Sequence, residues 1–154
     1  MKAHNLTVLA ALYLFAAVTP LLAHCEIPCG IYGDPARFAA IEEDLQTVEK
    51  SMTMIAELAG KDDAQSANQL ARWVANKEEH ANKIQHVVTQ YFMTQRLKVP
   101  DAGDEAAFAA YSNKLVLLHK MLRGAMKCKQ TVDVANVEAV RELLHEFKHA
   151  YEAK

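Results

Sequence analysis

The sequence predicts an all-α fold, an antiparallel four-helix bundle. Three observations carry that expectation. Apolar residues recur at alternating steps of three and four in four separate stretches, the stretches are joined by short connections, and nowhere do apolar and polar residues alternate as in a half-buried strand. At 154 residues the chain has the length of one domain, and 5 Gly with 4 Pro leave it outside the low-complexity and disordered classes.

Taken in order, residues 1–23 are expected to be a leader that is cleaved off. Residues 1–5 carry Lys2, 6–18 form an almost unbroken apolar run, and Pro20-Leu21-Leu22-Ala23 ends on a small residue, the order of a secretory signal peptide. The run is short for a membrane span, and no later stretch is long and apolar enough to be one. The alternative is an amphiphilic first helix that stays attached. Cleavage after Ala23 removes Lys2 alone and moves the formal charge from −2 to −3, and neither value suggests a nucleic-acid partner.

The bundle is expected over residues 33–154. Gly33-Asp34-Pro35 reads as a turn into the first helix, with Asp34 as N-cap and Pro35 at the first helical position. Phe38, Ile41, Leu45, Val48, Met52 and Ile55 then form one stripe, ended by Gly60. After the polar Lys61-Asp62-Asp63, a second helix is expected over about 64–96, with Leu70, Val74, Ala81, Ile84, Val88 and Tyr91 inward and Trp73 and Phe92 widening that face. Val99-Pro100-Asp101-Ala102-Gly103 breaks the pattern, and Asp104 offers a cap for a third helix bearing Phe108, Tyr111, Leu115, Leu118 and Leu122. A fourth, from about Asp133, carries Val137, Val140, Leu144, Phe147 and Tyr151. Met52, Met54, Met121 and Met126 are core by default, Cys128 a half-buried small apolar residue, and Glu42-Glu43-Asp44 solvated helix surface.

Residues 24–32, His24-Cys25-Glu26-Ile27-Pro28-Cys29-Gly30-Ile31-Tyr32, carry the chemistry. If cleavage falls after Ala23, His24 becomes the first residue and places a free amine, an imidazole and the Cys25 amide nitrogen beside a thiol. Amine and amide close one five-membered chelate ring, amide and Cys25 sulfur a second, and Cys29, returned by a turn at Pro28, supplies a fourth planar donor. Tetragonal nitrogen sites suit Ni(II) or Cu(II), and soft thiolates lower a metal's reduction potential, which favours redox nickel over hydrolytic zinc. The His24 imidazole is left as an axial ligand. On composition alone, a small Cys25–Cys29 disulfide in an exported, non-catalytic helical interaction protein is the alternative.

His24, Cys25, Pro28, Cys29, Gly30 and Tyr32 resemble, position by position, the N-terminal nickel hook of the nickel superoxide dismutase family. The resemblance implies an oxidoreductase that disproportionates superoxide to oxygen and hydrogen peroxide by Ni(II)/Ni(III) cycling, with a nickel ion as cofactor and no organic one. It implies a plane made by the His24 amine, the Cys25 amide and the Cys25 and Cys29 thiolates, with the His24 imidazole axial. The resemblance further implies that Tyr32 lines the approach to the metal, where the alternative is a turn aromatic packed on the bundle, and that Pro28 follows a cis bond. Glu26-Ile27 replaces the Asp-Leu of some members and keeps its character. By the same resemblance, Glu42 is expected to match the carboxylate that orients the imidazole and Tyr91 a second tyrosine near the site. The arginine expected beside that carboxylate has no counterpart in the second helix, where Asn76-Lys77 stand. The resemblance further implies a homohexamer and a maturation peptidase. It leaves open export to the periplasm or beyond against a cytoplasmic precursor, with no membrane attachment of the mature form. Superoxide is an anion, so cationic side chains near the mouth would speed encounter, a steering for which superoxide dismutases are the usual illustration.

Two rival sites are weaker. His145-Glu146-Phe147-Lys148-His149 satisfies H-E-x-x-H, but a zinc peptidase needs a third ligand and a cleft, and only five residues follow. Glu142 and His145 have the spacing used in di-iron bundles, and Glu146 and His149 repeat it on the same helix, but no other helix carries the matching pair those sites require.

Overall fold

The computed structural model describes residues 33–101 and 103–153. The expected leader and residues 24–32 lie outside that part. Among the described residues every regular element is helical.

Helix α1 spans Asp34–Leu58. Its N-cap is Gly33, not Asp34: Asp34 is the first helical residue, and no side chain caps the turn. The reason is that the Asp34 carboxylate is held by tyrosine and arginine side chains from other helices. Pro35 lies in the first turn, where its missing N–H leaves no intrahelical bond unmade. The helix stops where Gly60 takes φ +85°, a left-handed conformation that glycine adopts without a Cβ penalty. Helix α2 spans Ala64–His86 and opens on Asp63, whose side chain accepts from Ser66 N at 2.9 Å.

The expected second helix runs on to Arg96, but not as an α-helix. From Val87 to Arg96 the backbone is a π-helix, widened to i→i+5 bonding and closed by Leu97 N donating to Phe92 O at 3.0 Å. Apolar spacing locates a helix and its inner face without distinguishing the two kinds of winding. Helix α3 (Glu105–Gln130) begins as expected, Asp104 accepting from Ala107 N at 2.9 Å. Helix α4 spans Ala135–Glu152.

Neighbouring helices run antiparallel. Along α1 and the second helix, Asp34 meets Tyr91, Asp44 meets His80 and Ser51 meets Asn76, one number rising as the other falls. The same order relates α1 to α4, through Asp34–Tyr151 and Glu49–Arg141. The four inner faces bury Ile41, Val48, Met52, Ile84, Val88, Leu118, Met121, Val137, Val140 and Phe147 completely. Helices α3 and α4 approach so closely that a Cβ on Gly124 would lie 2.4 Å from Val140 Cγ2.

Three sets of expected positions move. Val74 is exposed, and in α3 the buried set is Leu117, Leu118, Met121, Ala125 and Cys128, while Phe108 stands 57 % exposed. The hairpin explains Phe108: α3 has 26 residues and α4 only 18, so beyond their shared connection α3 outruns its partner by roughly 12 Å at 1.5 Å per residue. Cys128 is fully rather than half-buried, and burial pushes its thiol up to about 11, a poor nucleophile and ligand. The Glu42-Glu43-Asp44 run is not plain solvated surface either, since Asp44 is buried and Glu42 is ion-paired.

Candidate metal centre

Of the residues singled out for the metal site, His24, Cys25, Glu26, Pro28, Cys29 and Tyr32 lie outside the described residues, and Glu42 and Tyr91 lie within them. Chain connectivity places the attachment of that segment. Asp34, two residues after Tyr32, is the first described residue in a helix.

Asp34 is the centre of a polar cluster. Tyr91 Oη donates to Oδ1 at 2.7 Å, Tyr151 Oη donates to Oδ2 at 2.9 Å, and the Arg96 fork closes on both oxygens, Nε to Oδ1 and Nη2 to Oδ2, each at 2.8 Å. The π-helix makes this possible. On an α-helix residues five apart point about 140° from one another at 100° per residue, whereas i→i+5 winding brings Tyr91 and Arg96 to one side. Burial works to raise the Asp34 carboxyl, but the hydrogen bonds from Arg96, Tyr91 and Tyr151 outweigh it and hold the group below its ordinary value. Burial first, and then the bond to Asp34, raises the Tyr91 phenol, so Tyr91 is a proton-bearing donor here. Beneath the cluster Phe38, Phe92, Phe147 and Tyr151 pack with ring centroids 4.9 to 6.0 Å apart.

Two turns further along α1 the arrangement is inverted. Arg141, on α4, serves three carboxylates: Nε to Glu42 Oε1 at 2.8 Å, Nη2 to Glu49 Oε2 at 3.0 Å, and Nη1 to Glu138. Those three bonds raise the guanidinium, Glu138 foremost, against the opposing effect of burial. Glu42 Oε2 is buried and has no hydrogen-bond partner among the described residues. Asn76 and Lys77, the positions where an arginine was sought, are committed elsewhere. Asn76 donates to Ser51 Oγ, and the buried Lys77 ammonium closes the C-terminal end of α3 by bonding the carbonyls of Cys128, Lys129 and Thr131. The guanidinium beside Glu42 therefore comes from α4.

On the side of α1 that meets α2, His80 Nδ1 lies 2.7 Å from Asp44 Oδ1, and burial raises the Asp44 carboxyl despite that bond. His145 and His149 are exposed. Among the described residues no three His, Cys, Asp or Glu side chains converge to hold a metal ion, and no helix is long and apolar enough to cross a membrane. A groove of about 730 Å³ between α1 and α2 is lined by Gln46, Lys50, Gln69 and Trp73, among others, and contains none of the expected site residues.

Four polar residues were not legible as site residues. Asp34 was read as a cap, Arg96 as a helix end, and Tyr151 as part of a core stripe. Arg141 flanks the stripe of α4 and carried no motif. The one available signal was charge on the apolar side of a helix, which marks a buried partner without naming it.

The model of one protein family, nickel-containing superoxide dismutase, matches residues 19–154, a span that includes His24 to Tyr32 and all four helices. Searches among curated proteins and among solved structures returned no match. The matched span takes in most of the chain, and with it an oxidoreductase activity and a nickel cofactor: the chain belongs to the nickel-containing superoxide dismutase family.

Proposed function

We propose that this protein dismutates superoxide at a nickel ion held by the first residues of its mature chain, beginning at His24. The observation that carries this is the donor set itself. His24, Cys25 and Cys29 lie inside the matched span, and their amine, amide nitrogen and two thiolates would hold a nickel ion. A nickel ion held by these residues would supply the one-electron chemistry that turns two superoxides and two protons into oxygen and hydrogen peroxide. The chain's own groups hold, orient and protect.

The imidazole of His24 needs a support for its second ring nitrogen, since metal-bound histidines almost always donate that N–H to a carboxylate or carbonyl. Glu42 Oε2 is an acceptor without a donor, while Arg141 holds the same carboxylate in place through Oε1. The ten-residue span from His24 to Asp34 reaches at most about 33 Å, against about 12 Å along α1 from Asp34 to Glu42, so the contact is within the chain's reach. Tyr32 restricts access to the metal, and Tyr91, with Asp34, fixes the base of the segment that carries it.

Removal of residues 1–23 precedes activity, because an uncut leader turns the His24 amine into a peptide nitrogen. Export through a signal peptidase accounts for the leader, and a dedicated maturation peptidase acting on a cytoplasmic precursor gives the same amino terminus. A homohexamer supplies walls for the metal segment, and the exposed Val99, Phe108 and Val116 offer apolar contact surface.

Intact mass and metal analysis of the protein from its native host tests this. The expected result is a chain starting at His24 with one nickel per subunit and dismutase activity that Cys25→Ser and Cys29→Ser both abolish. A mass two hydrogens lighter, with no nickel and activity intact, would falsify it in favour of the disulfide.

A further inference from the structure

The His145-Glu146-Phe147-Lys148-His149 run, which lacks the third ligand a peptidase needs, sits near the C-terminal end of α4. Four residues apart on an α-helix, His145 and His149 share one side, with Cβ atoms about 5–6 Å from each other, so two imidazoles can grip one ion. Both side chains are exposed, and neither imidazole makes a hydrogen bond or ion pair among the described residues, which leaves the rings open to a ligand from solvent. The turn that carries them is fixed from behind. Leu144 and Phe147 are buried, and Phe147 packs on Phe92 and Tyr151 with ring centroids 5.0 and 5.6 Å away. The surroundings favour a cation. Glu142, Glu146 and Glu152 are exposed and make no ion pair among the described residues, while the Lys148 ammonium lies 5.7 Å from the centroid of the Phe38 ring. His149 stands in the last turn of α4, where the unpaired carbonyls carry the negative end of the helix dipole.

We propose that His145 and His149 form a second metal site, a two-point chelate for a divalent late first-row ion of the zinc, copper and nickel group. Imidazole nitrogen suits these ions, whereas magnesium and calcium take oxygen donors, so the pair selects against the hard cations. Among the described residues no third His, Cys, Asp or Glu converges with the pair, and water completes the coordination shell. Structural zinc has four protein ligands and hydrolytic zinc three, so a site with two holds an exchangeable ion and leaves Glu146 no catalytic part. The three carboxylates act at longer range, raising the local concentration of cations. The inference does not depend on the dismutase reading, because both histidines lie outside the segment assigned to nickel.

The test uses zinc, which has no redox chemistry, on the mature protein already loaded with nickel. Zinc uptake in equilibrium dialysis is compared for the parent, His145→Ala, His149→Ala and a control, His119→Ala. His119 is an exposed histidine on α3 with no second histidine one turn away. The parent is expected to take up one zinc per subunit beyond its nickel. His145→Ala and His149→Ala should each bind it roughly tenfold to a hundredfold more weakly, because losing one arm forfeits a linked second contact. His119→Ala follows the parent, and every variant keeps its helicity. In the parent, zinc should shift the imidazole resonances of His145 and His149 together and saturate both at one concentration. Equal affinity in the parent and the two variants, an equal loss in His119→Ala, or a shift at one ring alone overturns the proposal. A repeat on Cys25→Ser/Cys29→Ser, which lacks the thiolates assigned to nickel, keeps the two sites apart. Saturable zinc uptake that still requires both histidines supports the chelate even if the parent proves to hold no nickel, and its absence overturns it.

Discussion

Two stretches of α1, its first residue and the middle turns around Glu42 and Glu49, assemble the same ingredients in opposite proportions. At Asp34 one carboxylate collects Tyr91, Tyr151 and Arg96, and both its oxygens are bonded. At Arg141 one guanidinium serves Glu42, Glu49 and Glu138, and one buried oxygen of Glu42 is left over. The first arrangement is closed and sits on aromatic rings, as an anchor should. The second has acceptors in excess, as a place that takes a donor should. A buried unpaired acceptor costs roughly 1–3 kcal/mol, so a group that bonds Glu42 Oε2 gains from meeting it.

The largest change is expected from removing the floor of the closed end. Phe92→Ala empties a fully buried site between Phe38 and Phe147 and should cost about 3–5 kcal/mol in denaturant unfolding, with Glu42 and Arg141 unaffected. Arg141→Met leaves three carboxylates facing one another. Their partial exposure tempers the repulsion, and a loss of about 1–3 kcal/mol, smaller when salt is raised, is expected in the same measurement.

Asp34→Asn should cost about 1–2 kcal/mol near neutral pH, with the half-exposed Arg96 tempering the figure. Its pH signature is sharper. Folding lowers the Asp34 pKa, so the unfolded chain binds that proton more readily; the contribution is complete above 3.8 and is lost as pH falls through the lower folded value. Asp44, raised by burial, has the opposite sign: its contribution is complete below 3.8 and lost as pH rises through the raised folded value. Stability measured between about pH 2 and 6 should therefore diverge for Asp34→Asn and Asp44→Asn, and parallel curves would show that the two carboxylates do not differ as described.

Glu42→Gln should have the smallest effect on folding, within about 1 kcal/mol, because it keeps the shape and an acceptor for Arg141. Its consequence should appear in the nickel protein, as an altered Ni(III) electron paramagnetic resonance signal with nickel content unchanged. A spectrum identical to the parent's would detach Glu42 from the imidazole and leave the Arg141 cluster as a purely structural feature.

Most of the helices could be read because their causes are local. Asp104 sits just ahead of an apolar period, and Ile41, Leu45, Val48 and Met52 recur on one face whatever lies opposite. Phe108 and Leu117 show where that logic stops. Periodicity identifies an apolar face, but whether a turn of that face is covered depends on the length of the partner helix. The partners of Asp34 lie 57, 62 and 117 residues away in the chain, and no spacing rule connects them.

By itself the sequence determined the family and the number and order of the helices, and it supplied the donors proposed for nickel in residues 24–32, since each rests on residues close together in the chain. Only the tertiary structure decided that Arg141 from the last helix stands beside Glu42 and that a π-helix turns Tyr91 and Arg96 onto one carboxylate. Those outcomes depend on helix lengths, crossing contacts and the competition of distant side chains for the same buried hydrogen bonds, quantities that exist only once the chain has packed.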